Sequence, residues 1–178
     1  RRRARGSCTS NLQKGLLLMT ALVLAAGLFL LRNGLNQEAP LDQLARQSLD
    51  PEVALNNSRP TVLEFYADWC EACQAMAPAM LQMEQKHADQ LDVVLVNIDN
   101  PRWLDLTDRY DVTGIPQLNL FSDEGVMRGR SLGARTADQL ESLAVALINN
   151  EPLPQLAGVG STSSVTPAET VSSPGPRS

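Results

Sequence analysis

Two cysteines three residues apart, Cys70 and Cys73, stand where a run rich in β-branched and aromatic residues gives way to a stretch with helical spacing. The run, Thr61–Ala67 (TVLEFYA), reads as a buried strand. Beyond it, Ala72, Ala75, Met76, Ala79, Met80 and Met83 recur near i, i+3, i+4, i+7 and i+8, which predicts a helix over 71–90. Cysteines at i and i+3 of a helix start face the same side, near enough to close a disulfide. The first of them meets the unpaired N–H groups and positive end of the helix dipole, which favour a thiolate. A thiolate, and not a thiol, attacks disulfides. Cys70 is therefore expected to be an exposed nucleophile, and Cys73, one turn in, the shielded thiol that resolves the mixed disulfide.

Other uses of the pair fit less well. A structural disulfide closing so small a loop restrains the unfolded chain little. A zinc site needs about four ligands, and only Cys8 and His87 remain to supply them. No Cys-x-x-Cys-His run suggests covalent haem. Thiol–disulfide exchange is the expected chemistry, with no metal and no cofactor beyond the redox-active Cys70–Cys73 pair. Glu64 raises a further question, because it lies mid-strand in an apolar segment where an ionised acid is costly. Either strand twist turns it outward, or it is buried with a raised pKa.

The elements that would hold this pair follow from pattern. Residues 40–60 carry apolar positions in a roughly helical rhythm and predict one or two short helices, with Pro51 opening the second. Pro78 falls inside the helix after the cysteines and is expected to bend it. Asp92–Asn97 (DVVLVN) is a second central strand, and Pro101–Tyr110 a helix with proline at its start. Leu118–Ser122 and Gly125–Gly129 form a hairpin about Asp123-Glu124-Gly125. Thr136 or Asp138 caps a last helix reaching about Asn149. The order is that of an α/β domain with a central mixed β-sheet flanked by helices. From Glu151 the chain turns to Pro, Ser, Thr, Gly and Val, too poor in large apolar groups to offset its ordering entropy, so 151–178 is expected to be disordered.

Gly15–Leu31 (GLLLMTALVLAAGLFLL) is a 17-residue run without charge, long enough for a single transmembrane helix. A cleavable signal and a buried soluble helix are the alternatives. The run exceeds a typical signal core of about 7–15 residues, and no A-x-A site follows it. Six of the fifteen basic residues precede residue 33, whereas the first acid is Glu38. The positive-inside rule then keeps the basic segment 1–14 on the cytoplasmic or stromal side and delivers the rest to a periplasm or thylakoid lumen. From residue 33 onward 9 basic residues face 20 acidic ones, a balance of −11, which argues against nucleic-acid binding. Cys8 stays on the N-terminal side, as an acylation site or an incidental thiol. The organisation expected is 1–14 basic segment, 15–31 anchor, 32–59 linker with short helices, 60–150 folded domain and 151–178 tail.

Trp69-Cys70-x-x-Cys73, Pro78 five residues on, Gly114-Ile115-Pro116, and Gly133 before the last helix together resemble thioredoxin over residues 60–150. The resemblance implies a thioredoxin fold with a cis Pro116 beside the cysteines, Ile115 offering backbone groups to an extended substrate strand, and Trp69 at the same surface. It also implies that Glu64, in place of a buried Asp, moves a proton to and from Cys73. Two positions depart from the pattern: Glu71-Ala72 replaces Gly-Pro between the cysteines, and Leu95 stands where a lysine is usual. Glu71 beside the Cys70 thiolate, with no histidine nearby to stabilise it, disfavours strongly oxidising behaviour. With the anchor, Trp-Cys-Glu-x-Cys, and Asn97-Ile98-Asp99-Asn100 followed by Trp103, the chain is most similar to the membrane-anchored, Txl-type thioredoxin-like proteins of cyanobacteria and chloroplast thylakoids. That likeness implies a protein-disulfide reductase, supplied with electrons by a membrane thiol transporter of the CcdA type. Its substrates would be disulfide-containing proteins, c-type cytochrome precursors among them. An oxidase or isomerase, and a non-catalytic adaptor, are the alternatives.

Overall fold

The computed structural model describes residues 8–35, 38–156 and 158–165, in two units, Arg1–Glu38 and Ala39–Ser178. In the first unit a charge-free run folds as the structure that satisfies its own backbone without water. Helix α1 spans Cys8–Leu35 and contains an 18-residue window, Gln13–Leu30, long and apolar enough to cross a membrane. At 1.5 Å per residue that window is about 27 Å long, close to the thickness of a hydrocarbon core. Its leucines and Phe29 stand open, between 64 and 70 % exposed, a surface suited to lipid. The expected 15–31 span thus lies inside a longer helix. Residues 1–7 of the basic segment lie outside the described residues.

The second unit begins with two short helices, α2 (Pro40–Gln47) and α3 (Pro51–Ala54). Each starts on a proline, whose missing N–H is no loss in a first turn. Asp50 caps α3 by accepting the Glu52 N–H. Leu41, Leu44 and Ala54 are buried. The helices form as expected, but they are part of the fold and not of a linker, because α2 packs on the helix that follows the cysteines.

Four strands make the main sheet, β1 (Thr61–Tyr66), β2 (Asp92–Asn97), β4 (Gln117–Phe121) and β5 (Met127–Leu132), in the order β2-β1-β4-β5. A two-residue strand, β3 (Gly114–Ile115), precedes β4. Strand β1 is buried throughout, pairing parallel with β2 and antiparallel with β4. A parallel pair needs a crossover, and α4 (Glu71–His87) provides it. It runs through Pro78 without interruption, and packs against α2 and the last helix, α6 (Ala137–Ile148). Residues 101–109 split into a 3-10 turn, Pro101–Trp103, and α5 (Leu104–Arg109). The hairpin forms, but β5 starts later than expected and runs on to Leu132 as an edge strand, half-buried over most of its length. Thr136, and not Asp138, is the N-cap of α6, in a reciprocal capping box with Gln139. Tyr110 packs on the core between Phe65, tilted at 51° with ring centroids 6.0 Å apart, and Phe121, edge to face at 5.7 Å.

The expected disorder from Glu151 does not hold over the described part of that segment. Leu153, Leu156 and Val165 pack against the core. Ser163–Ser164 forms a short strand, β6, antiparallel to β3. Three apolar side chains and a set of backbone hydrogen bonds suffice where the composition alone suggested nothing to bury. Residues 166–178 lie outside the described residues.

Candidate functional site

Strand β1 ends at Tyr66, and a tight turn closed by the Cys70 N–H donating to the Ala67 carbonyl (3.1 Å) brings the chain to the start of α4. Cys70 is the N-cap of that helix, with extended backbone, and its Sγ accepts the Cys73 N–H at 3.1 Å. This is the contact that sequence spacing called for. An N–H otherwise left unpaired in the first helical turn is aimed at the sulfur expected to carry charge when reduced. The two residues are joined as a disulfide, with Cα atoms 5.2 Å apart. Cys73 is fully buried, as expected of a resolving thiol. Cys70 is buried too, at 0 % exposure, where an exposed nucleophile was expected.

Glu64 faces inward, which removes the outward-turned alternative. It is the fourth residue of the central strand and lies opposite Leu95 on one side and Leu118 on the other. Neither leucine supplies a charge, and neither carboxyl oxygen has a hydrogen-bond partner. Burial alone pushes its pKa up to about 8, so the acid is neutral through most of the physiological range. A carboxyl group so placed can take or release a proton near neutral pH.

Trp69 is half-exposed beside Cys70 and is held by its indole N–H, which donates to Asp99 Oδ2 at 2.8 Å. Glu71, in the first turn of α4, is exposed. Ile115 and Pro116 are joined by a cis bond and are buried. The Pro116 carbonyl accepts the Gly133 N–H at 2.8 Å, tying the loop before β4 to the loop after β5. Gly133 has φ +87°, a left-handed conformation that a side chain would strain. Next to it the Arg135 N–H points at Met76 Sδ of α4 (3.3 Å), so this loop also touches the helix that carries the cysteines.

Sequence reasoning named six residues here, Glu64, Trp69, Cys70, Cys73, Ile115 and Pro116, and each lies on the elements expected of it. It missed two features. One is Asp99, which fixes the indole; an acid at the end of β2 carries no sign of what it will meet. The other is Ser163–Ser164, which occupies the β3 edge. Its surroundings, rich in Gly, Ser and Thr, have no apolar alternation to mark a strand.

The thioredoxin family profile matches residues 41–146. The chain is 39 % identical over 160 residues to the thiol:disulfide interchange protein TxlA of Synechococcus elongatus, covering 90 % of this chain and 84 % of that one. It is 35 % identical over 156 residues to a TxlA homolog of Synechocystis sp., covering 88 % of this chain and 87 % of that one. Against the chloroplastic thioredoxin-like protein HCF164 of Oryza sativa subsp. japonica the identity is 38 % over 125 residues, 70 % of this chain and 48 % of that one.

Proposed function

On the premise that this chain belongs to the thioredoxin family, in its Txl-type branch, we propose that it is a membrane-anchored disulfide reductase working on the far side of an energy-transducing membrane. The observation that carries the chemistry is the Cys73 N–H directed at Cys70 Sγ at the head of α4. In the reduced protein that geometry stabilises a Cys70 thiolate. The thiolate attacks one sulfur of a substrate disulfide; a new S–S bond forms, the old one breaks, and one substrate thiolate leaves. The ionised fraction of Glu64, a minority near neutral pH, takes the Cys73 proton; the Cys73 thiolate attacks Cys70 Sγ, releasing the second substrate thiolate, which takes up a proton. Two electrons have passed to the substrate, and the Cys70–Cys73 disulfide remains.

The direction of transfer is argued from charge. Glu71 is in the first turn of α4, Asp99 holds Trp69, and no histidine stands beside Cys70. Negative charge near the thiolate stabilises the reduced form less, which lowers the reduction potential. The α1 helix is the proposed anchor, with the N-terminus cytoplasmic or stromal. The acidic domain would lie in a thylakoid lumen or periplasm, recharged by a CcdA-type transporter and serving disulfide-bearing proteins such as c-type cytochrome precursors. A Cys73→Ser variant isolated from membranes should retain its substrates as mixed disulfides through Cys70. Recovery of no disulfide-linked partner refutes exchange chemistry. A potential near that of a strong oxidant, about −120 mV, would refute the reductase direction. Retention of function after both cysteines are replaced by serine would make the protein an adaptor.

A further inference from the structure

The chain places its own backbone on the edge that a substrate strand would need. Strand β3 is two residues long and stands immediately before Pro116. An unpaired strand edge is a ready template for an extended polypeptide. Here the edge is filled: Gly114 pairs with Ser164 and Ile115 with Ser163, antiparallel. The Val165 N–H donates to the Thr113 carbonyl at 3.2 Å, extending the pairing by a residue.

Upstream, the same segment crosses the Gly133 loop. The Ala134 N–H donates to the Ser161 carbonyl at 3.0 Å, and the Gly160 N–H to the Leu132 carbonyl at 3.3 Å. Arg135, almost fully buried, donates from its guanidinium to the Gly158 carbonyl at 3.1 Å. The crossing is a close backbone contact: a Cβ on Gly160 would lie 2.1 Å from the Ala134 carbonyl oxygen and 2.9 Å from the Gly133 carbonyl carbon. Such an approach is open to glycine alone at both Gly133 and Gly160.

We propose that Gly158–Val165 is a built-in competitor, a strand of the protein's own chain that fills the substrate edge at Gly114–Ile115 and must leave before a substrate disulfide reaches Cys70. Three observations converge on it. The segment lies beyond residues 41–146, which the family profile covers, so it is an addition to the shared fold. It joins two loops, 113–116, which holds the cis Ile115–Pro116 bond, and 132–135, whose Arg135 N–H points at Met76 of the helix that carries the cysteines. Cys70, whose chemistry needs access, is fully buried. The segment's own side chains are mostly exposed, so it is held mainly by its backbone and by one arginine, a grip that an incoming strand of many sequences can replace.

The proposal rests on the exchange reading, and the test separates the two. Reduction of insulin disulfides is followed with the full chain in detergent, alongside Gly160→Val and a chain ended after Leu156. Amide hydrogen exchange at Ile115 and Ala134 reports whether the segment has left. Release should raise exchange at Ala134 and raise kcat/KM about tenfold, mainly through KM, if the edge is self-occupied roughly nine-tenths of the time. The reduction potential should not move. Faster exchange with an unchanged or lower kcat/KM overturns the proposal while leaving exchange chemistry intact. Unaltered exchange in Gly160→Val overturns the packing argument on which the proposal stands. No insulin reduction by any of the three chains, with no mixed disulfide from Cys73→Ser, sinks the exchange reading and this proposal with it.

Discussion

Replacing Glu64 with glutamine should make the protein's stability nearly independent of pH over a range where the natural chain loses much of it. The acid is fully buried on the central strand between Leu95 and Leu118, and its pKa rises from an ordinary 4.5 to about 8. Between those values the folded state holds a proton that the unfolded chain has released. Stability is therefore fully present below about pH 4.5, falls as pH rises through the window, and levels off above about pH 8. A separation of roughly 3.5 units at 1.36 kcal/mol each corresponds to about 5 kcal/mol, an upper figure because buried sites behave as more polarisable than dry protein. Glutamine keeps the shape of the side chain and has no charge to desolvate. At pH 5 the two chains should unfold at similar urea concentrations; at pH 8.5 Glu64→Gln should be the more stable by several kcal/mol. Urea midpoints measured at half-unit steps from pH 4.5 to 9, in the oxidised state, check this. Parallel curves for the two chains would show that Glu64 is solvated or paired, and would remove it as a proton carrier. The same variant should slow resolution of a Cys70 mixed disulfide about a hundredfold, the low end of what a general base contributes.

Asp99→Ala frees the Trp69 indole from its 2.8 Å hydrogen bond, and should shift the tryptophan emission and raise KM for a protein disulfide about fivefold, the equivalent of one hydrogen bond of about 1 kcal/mol, with kcat little changed. Thr136→Ala removes the capping box of α6 and should cost about 1 kcal/mol, read as a fall of a few degrees in Tm. Leu118→Ala, at a fully buried site on β4, should cost about 2–5 kcal/mol in urea unfolding, whereas Leu104→Ala, at a site 54 % exposed, should stay within about 0.5 kcal/mol.

What the sequence disclosed and what it hid divide along a physical line. Side-chain patterns were legible wherever a side chain itself does the work. The six-residue run Asp92–Asn97 is a strand with those bounds, because five of its residues are buried, but it lies at the edge of the sheet and not at its centre as expected. The start of α6 was legible to within Thr136 or Asp138, and the capping box of Thr136 with Gln139 decides between them. Cys70 and Cys73 announce their spacing. Glu64 was legible as an anomaly, and only the burial of every residue of β1, Glu64 included, removed the outward-turned alternative. Residues 40–59 were half legible: the prolines at helix starts marked the elements, but nothing marked that Leu41 and Leu44 reach the core.

The segment after Glu151 was misread for a reason that bears on function. Backbone groups hold most of it, with glycine at the point of closest approach, and backbone contacts leave almost no trace in residue types. Composition rules weigh the apolar area a segment can bury against its entropy, and by that measure Gly158–Ser164 has little to offer. Ladder hydrogen bonds to a preformed edge supply what side chains do not. An edge that binds its partner through main-chain groups does not discriminate strongly by sequence, which is the property a reductase of varied protein disulfides requires. The same property lets a stretch of glycine, serine and threonine occupy that edge without a recognisable motif. The illegibility of the tail and the breadth of substrate expected at β3 thus have one cause.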